Sequence, residues 1–305
     1  MSIIDKMAYD LLLDRAAVEE IASATNNYRR IRLNSGRVVW QPTSKLKLLQ
    51  YWIVDYVMHE GAFPQLSATA YEPHCSIVVN ARHHKDCRHL LHIDIKEFFS
   101  SVSKELLRAY FRKPPLNNLS HEDVELILNI VTFRGGLVMG APSSPMLANR
   151  AMIDIDDEIA QLVSHHSAGA TYTRYSDDIA VSSMKRIDES LFYEIAAVLD
   201  KNGFEVNRLK TKWLGPGSNR KIAGIAYTNE GKLSLGQKRK KELKKRLYEF
   251  ALDEKADRKT AERLLGYINF ARSVEPEYVS RQLVKYSAYG SLPTMRKIKL
   301  LLSNG

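Results

Sequence analysis

The stretch Ala170-Thr171-Tyr172-Thr173-Arg174-Tyr175-Ser176-Asp177-Asp178-Ile179-Ala180-Val181-Ser182 decides how this chain is read. Residues 170–175 and 179–181 carry the β-branched and aromatic side chains of strands. The polar Ser176-Asp177-Asp178 between them marks a hairpin tip. Two adjacent carboxylates at such a tip repel, and the repulsion drives up the pKa of one of them. A divalent cation relieves that cost, because Mg²⁺ takes a few carboxylate oxygens and completes its shell with phosphate and water. An Asp-Asp dipeptide is also a common solvated turn. A second pair, Asp156-Asp157, falls on an expected helix over 145–163 and reads as a solvated helix face. The tip taken alone leaves both readings open.

A third carboxylate widens the view. Leu90-Leu91-His92-Ile93-Asp94-Ile95 is a short apolar strand with an acid near its end. Asp94, Asp177 and Asp178 together could hold two metals about 4 Å apart, an arrangement suited to in-line phosphoryl transfer.

The rest of the chain has room for such a site. Its 305 residues are 45% hydrophobic, enough for about two domains or one domain with appended subdomains. The formal net charge of +10 points to a polyanionic partner, nucleic acid being the usual one. A basic protein without such a partner has the same charge, which describes association and not fold. The two cysteines, Cys75 and Cys87, form no CxxC pair. With His74, His83, His84, His89 and His92 they fit no common zinc spacing. Asp5, Lys6 and Asp10 break any secretory leader, and no apolar run approaches the ~20 residues that span a bilayer. A cytoplasmic, reducing setting without membrane contact is the expectation.

Along the chain, helical spacing is expected over 1–25, 45–59, 104–112, 121–133, 145–163 and 191–201. Residues 28–41 read as two strands about Asn34-Ser35-Gly36, and Pro42 ends the second. Segments 203–215 and 221–228 look extended. Residues 237–250 form a basic helix carrying Lys238, Arg239, Lys240, Lys241, Lys244, Lys245 and Arg246. A boundary near residue 234 separates it from the mixed body.

Taken in order, these segments resemble a known family. Tyr175-Ser176-Asp177-Asp178 resembles the YxDD box of reverse transcriptases. Gly140-Ala141-Pro142-Ser143-Ser144-Pro145 with Leu147-Ala148-Asn149 resembles their GAPxSPxLAN box, and Asp94 with Phe98-Phe99-Ser100 resembles their first catalytic box. The likeness runs from about Tyr28 to Tyr286. Asn80-Ala81-Arg82-His83-His84 matches the NAxxH signature of the retron type, and Gly266-Tyr267-Ile268-Asn269-Phe270 resembles its thumb.

The resemblance implies an α+β right-hand polymerase: fingers with N-terminal helices over 1–89, a palm over 90–234, and a basic helical thumb over 235–305. The palm would be an antiparallel sheet with helices on one face, with fingers-like helices at 104–133. It implies RNA-directed DNA synthesis from deoxynucleoside triphosphates with two Mg²⁺ ions. Asp94, Asp177, Asp178 and the Ile95 carbonyl would hold the metals. Phe99 would be the steric gate against ribose. Arg37 and Arg30 would reach the triphosphate, Met139 would line the nucleotide pocket, and Lys210 would serve the leaving pyrophosphate, with Lys212 close by. Asn80, His84, Lys238, Arg239, Lys241 and Lys245 would contact RNA. A retron enzyme would copy its cognate non-coding RNA from a guanosine 2′-hydroxyl into branched multicopy single-stranded DNA. A separate defence effector would accompany it against phage.

Two departures stand out. Leu137-Val138-Met139-Gly140 replaces the family's LPQG, and a methionine cannot donate the amide hydrogen bond of a glutamine. Altered nucleotide affinity or fidelity is expected. Ile222-Ala223-Gly224 replaces VTG and keeps only the glycine. Rival readings are a group II intron or diversity-generating reverse transcriptase, and a catalytically weak RNA-binding protein that keeps the polymerase fold.

Overall fold

A computed structural model describes residues 2–34, 36, 38–60 and 67–303. The chain forms two compact units. One comprises Met1–Ser76 and His89–Trp213, the other Ile77–Arg88 and Leu214–Gly305. The segments expected as fingers and palm thus share the first unit, except that residues 77–88 and 214–234 join the C-terminal part.

The first unit opens with helices Ile3–Leu11 and Arg15–Ser23, N-capped by Ser2 and Asp14. Strands β1 (Tyr28–Arg32) and β2 (Val38–Pro42) pair antiparallel. Helix Ser44–Trp52 then loosens into a π-helical turn, Ile53–Val57. The central sheet contains β3 (His89–Asp94), β4 (Thr171–Tyr175), β5 (Asp178–Ser183) and β6 (Lys212–Leu214), in the order β4-β5-β3-β6. Leu91 and Ile93 of β3 and Ile179 and Val181 of β5 are fully buried. They pack with Ile155, Ile159 and Val163 of helix Ile153–His166 and with Leu191, Ile195 and Leu199 of helix Glu189–Lys201. Burying each such side chain contributes roughly 1.5–3 kcal/mol, so this apolar face fixes the sheet under its helices.

The segment expected to form one helix over 145–163 forms two, Ser144–Ala151 and Ile153–His166. They break at Met152, whose φ of −86° and ψ of −1° depart from ideal helix values while staying in the right-handed region. Helices Lys104–Phe111 and His121–Val131 are held at their starts by Ser103 and by a Ser120/Asp123 capping box.

The second unit contains helix Ile77–His83 and a small antiparallel sheet of β7 (Lys221–Ile222), β8 (Ile225–Tyr227) and β9 (Leu233–Ser234). Helices Gly236–Leu252, Arg258–Val274, Pro276–Ser287 and Thr294–Ser303 complete it. Leu243, Leu247, Phe250, Leu264, Ile268, Val279 and Ile298 form its core, joined by Val78, Ala81 and Ile225. Ala223 and Gly224, both at positive φ, form the β7–β8 turn. Among the described residues no helix is long and apolar enough to cross a membrane.

Candidate active site

Strand register brings the three acids together. Asp94, the last residue of β3, lies directly opposite Asp178, the first of β5. Asp178 is also paired with Tyr175 across the hairpin. The Ile95 N–H donates to the Asp177 carbonyl at 2.9 Å, tying the tip to the strand that carries Asp94. Ser176 makes the turn with φ at +60°.

Asp94 and Asp178 each face one basic side chain. The Lys210 Nζ lies 3.0 Å from Asp94 Oδ2, on a side chain that is 63% exposed. Its bond to Asp94 raises the ammonium pKa. The His92 Nε2 lies 3.3 Å from Asp178 Oδ1. Burial pushes the Asp177 carboxyl above its ordinary value, and repulsion from Asp178 and Asp94 adds to it while Lys210 opposes. Three carboxylates at one end of a sheet, one of them held against its own ionisation, fit a hard divalent cation in donor chemistry. Among the described residues no three His, Cys, Asp or Glu side chains are closed around a common point. Asp94 instead faces Lys210, and Asp178 faces His92.

The tip is braced from behind. Arg174, fully buried in β4, forms an ion pair with Asp156, Nη2 to Oδ2 at 2.6 Å and Nε to Oδ1 at 2.8 Å. The same guanidinium donates to the carbonyls of Ser176 at 3.3 Å and Asn149 at 3.2 Å. The Tyr172 hydroxyl completes the group, 2.6 Å from Asp156 Oδ1. This corrects the reading of Asp156-Asp157 as a solvated face. Asp156 is 2% exposed and neutralises the cation behind the hairpin, while Asp157 is half-buried.

Residues 67–76, which carry no periodic signal, are a second brace. The Thr69 N–H donates to the Arg174 carbonyl at 2.9 Å, and the Arg174 N–H to the Ser67 carbonyl at 2.7 Å. Asn149 Nδ2 holds the Ala70 carbonyl at 3.0 Å. Glu72 and Arg150 form a buried ion pair at 3.1 Å. The Tyr71 hydroxyl donates to Ser176 Oγ at 2.8 Å. Leu147-Ala148-Asn149-Arg150 thus joins loop to hairpin, and its asparagine was the one signal that could have pointed here.

Other expected residues fall as follows. Phe99 is half-buried, 5.5 Å from the Phe98 ring centroid and 6.4 Å from that of Tyr71. Phe98 itself is core. Met139 is 39% exposed, beside Gly140 at φ +95°. Arg30 is exposed on β1 opposite Trp40, and Arg37 lies outside the described residues. In the second unit Asn80 and His84 are buried. Burial, and the charge of His83, push the His84 pKa down to about 3. Lys238, Lys241 and Lys245 are exposed. Arg239 is engaged internally: it donates to the Gly224 carbonyl at 2.5 Å and lies 5.1 Å from the Phe270 ring centroid. A Cβ at Gly224 would come within 2.8 Å of that flexible guanidinium, so the φ of +77° is the firmer reason for the glycine kept at this turn.

The chain matches the reverse transcriptase (RNA-dependent DNA polymerase) family over residues 26–256. It is 29% identical over 252 residues to the retron Ec86 reverse transcriptase of Escherichia coli, covering 82% of this chain and 75% of that protein. The retron Ec83 enzyme of the same organism is 28% identical over 281 residues, covering 88% and 87%. The retron Ec73 enzyme is 28% identical over 270 residues, covering 82% and 83%. With the family matched over well more than half its length and its acids assembled at one sheet end, the chain belongs to the reverse transcriptases, as an RNA-directed DNA polymerase of the retron type.

Proposed function

We propose that DNA synthesis takes place at the Asp94–Asp177–Asp178 end of the central sheet. The pairing of Asp94 with Asp178, locked by the Ile95–Asp177 bond, carries this reading. Reverse transcriptases use divalent metal and deoxynucleoside triphosphates, and here Mg²⁺ suits the all-oxygen donors. Asp94, Asp177, Asp178 and the Ile95 carbonyl would hold two ions. In an extended strand a residue's N–H and C=O leave on the same edge, so the Ile95 carbonyl faces the side of Asp177. When bound, the metal lowers the pKa of the attacking hydroxyl and neutralises charge on the leaving pyrophosphate.

The chain's own residues do the rest. Lys210, freed from Asp94 when that carboxylate takes a cation, brings an ammonium to the leaving group as acid or counter-charge. Phe99 bars the ribose 2′-hydroxyl by its bulk. Met139 packs on the sugar or base through a polarizable thioether. Arg30 and Arg37 offer planar forks of donors to the triphosphate. Lys238, Lys241 and Lys245 take the phosphate backbone of RNA or hybrid, with Arg239 supporting the turn beside them. Asn80 and His84, being buried, act as scaffold for the RNA-reading surface.

The retron relatives extend the reading. The chain would copy its own structured non-coding RNA from a guanosine 2′-hydroxyl, yield branched multicopy single-stranded DNA, and work with a separate effector in anti-phage defence. The deciding experiment is to sequence the nucleic acid that co-purifies with the protein. A 2′,5′-branched RNA–DNA species is expected, and a random mixture of cellular RNA would overturn the retron product while leaving the polymerase intact.

A further inference from the structure

Tyr71 stands at an unusual place. Its neighbours on both sides are pinned, Ala70 through Asn149 and Glu72 through the buried pair with Arg150. Between them Tyr71 adopts a φ of +62°, a left-handed conformation that is unfavourable for a bulky L-residue. The ring is not core, since it is 39% exposed. It lies 6.4 Å from Phe99 and 6.5 Å from Tyr175, centroid to centroid. Its hydroxyl binds Ser176, which is itself at positive φ beside Asp177. One side chain therefore touches both the gate ring and the carboxylate hairpin.

We infer that Tyr71 is a positioning residue for sugar discrimination, setting the distance between the Phe99 ring and the Asp177-Asp178 tip. The inference rests on the reading of Phe99 as the gate. Rejection by steric clash works only if the gate cannot yield, and a shift of about 1 Å is enough to spoil a reacting geometry. Phe99 is only half-buried, so the core does not hold it on every side. Tyr71 is a ring neighbour outside that core, and its hydroxyl bond to Ser176 references it to the carboxylate turn. A tyrosine that merely filled space would need neither the strained backbone nor the hydroxyl partner.

The test uses the full chain on an oligonucleotide-primed RNA template, comparing kcat/KM for a deoxynucleotide with that for the matching ribonucleotide. Tyr71→Ala is expected to lower the ratio of the two about tenfold, mainly through faster ribonucleotide use. Tyr71→Leu, which keeps apolar bulk if the alanine variant unfolds, should lower it about fivefold, and Tyr71→Phe about twofold. Tyr71→Ala with Phe99→Ala should be no more permissive than Phe99→Ala alone, because the two act through one ring. Equal losses on both nucleotides, with the ratio unchanged, would show a purely structural role and overturn the inference. If Phe99→Ala relaxes selection and no Tyr71 variant does, the inference fails alone. If Phe99→Ala leaves selection unchanged, the gate reading fails and takes this inference with it.

Discussion

Two aspartate pairs sit in this chain, and only one of them is proposed as a site. Asp156-Asp157 and Asp177-Asp178 carry the same dipeptide and the same repulsion. Burial lifts the Asp157 carboxyl, with Asp156 and Asp154 adding to it. Burial lifts Asp177 too, with Asp178 and Asp94 adding. The difference is the counter-charge. Asp156 faces a guanidinium that is fully buried and permanently ionised. Asp94 faces a largely exposed lysine and Asp178 a partly exposed imidazole, neither of them locked in the core. A carboxylate matched by a fixed cation holds structure together, and one matched by a removable cation is available for metal.

The strongest way to break this comparison is at the tip. Asp177→Asn with Asp178→Asn should lower DNA synthesis by about 10⁴-fold or more, since catalysis here is charge stabilisation. Thermal unfolding should be unchanged or shifted upward, because the raised pKa of Asp177 means that its ionised form costs stability. Loss of activity through unfolding would place the tip with the structural pair instead.

The converse holds at the buried pair. Asp156→Ala leaves the Arg174 guanidinium buried and unmatched, a change that costs about 3–5 kcal/mol. Arg174→Met with Asp156→Leu should recover most of that stability, since removing both charges is often near neutral. Activity should not recover in step, because the bonds from Arg174 to Ser176 and Asn149 are lost as well. Melting temperatures read beside kcat separate the two effects, and a doubly substituted chain with full kcat would show that the brace does not position the tip.

The contrast also marks what could be read from sequence. The hairpin, Asp94 on its strand and the basic helix were legible because each is local: period, turn residues and charge runs lie within a few residues. The braces were not. Tyr71 meets Ser176 across 105 residues, and Arg150 meets Glu72 across 78. Asp156 looked like a solvated acid because its partner is on another element. The break at Met152 has no glycine or proline to announce it, and tertiary packing overrode propensity there. Sequence order signalled that a site exists, and side-chain partners decided which acids belong to it.

The same distinction between spent and available charge recurs on helix Gly236–Leu252. Lys241 and Lys245 are exposed, Lys245 with only a solvated Glu249 carboxylate at 3.8 Å, whereas Arg239 is bonded to Gly224 and lies near the Phe270 ring. Lys241→Ala with Lys245→Ala should weaken binding of an RNA–DNA hybrid roughly thirtyfold and lower the salt slope by about 2, with unfolding unchanged. Arg239→Ala should instead lower stability by about 1 kcal/mol, with little change in the slope. A fluorescence titration across salt concentrations, run beside melts, distinguishes them. An equal change in slope for Arg239→Ala would mean that its internal bonds do not withhold it from nucleic acid.

His84 shows the third solution to burying a base. Arg174 cannot lose its proton and so requires Asp156. His84 can lose its proton, and burial keeps it neutral with a pKa near 3. The sign follows from linkage. The folded value lies below the ordinary 6.5, so between about 3 and 6.5 the unfolded chain binds the extra proton and folding opposes it. Stability from this group is full above about pH 6.5 and falls on acidification, by roughly 1.4 kcal/mol at pH 5.5. His84→Gln removes the titrating group, so the drop in melting temperature from pH 7.5 to 5.5 should be smaller in that variant than in the parent. An imidazole NMR titration gives the independent reading: the His84 ring should stay neutral at pH 5, and protonation near pH 6.5 would show that it is not buried as a base at all.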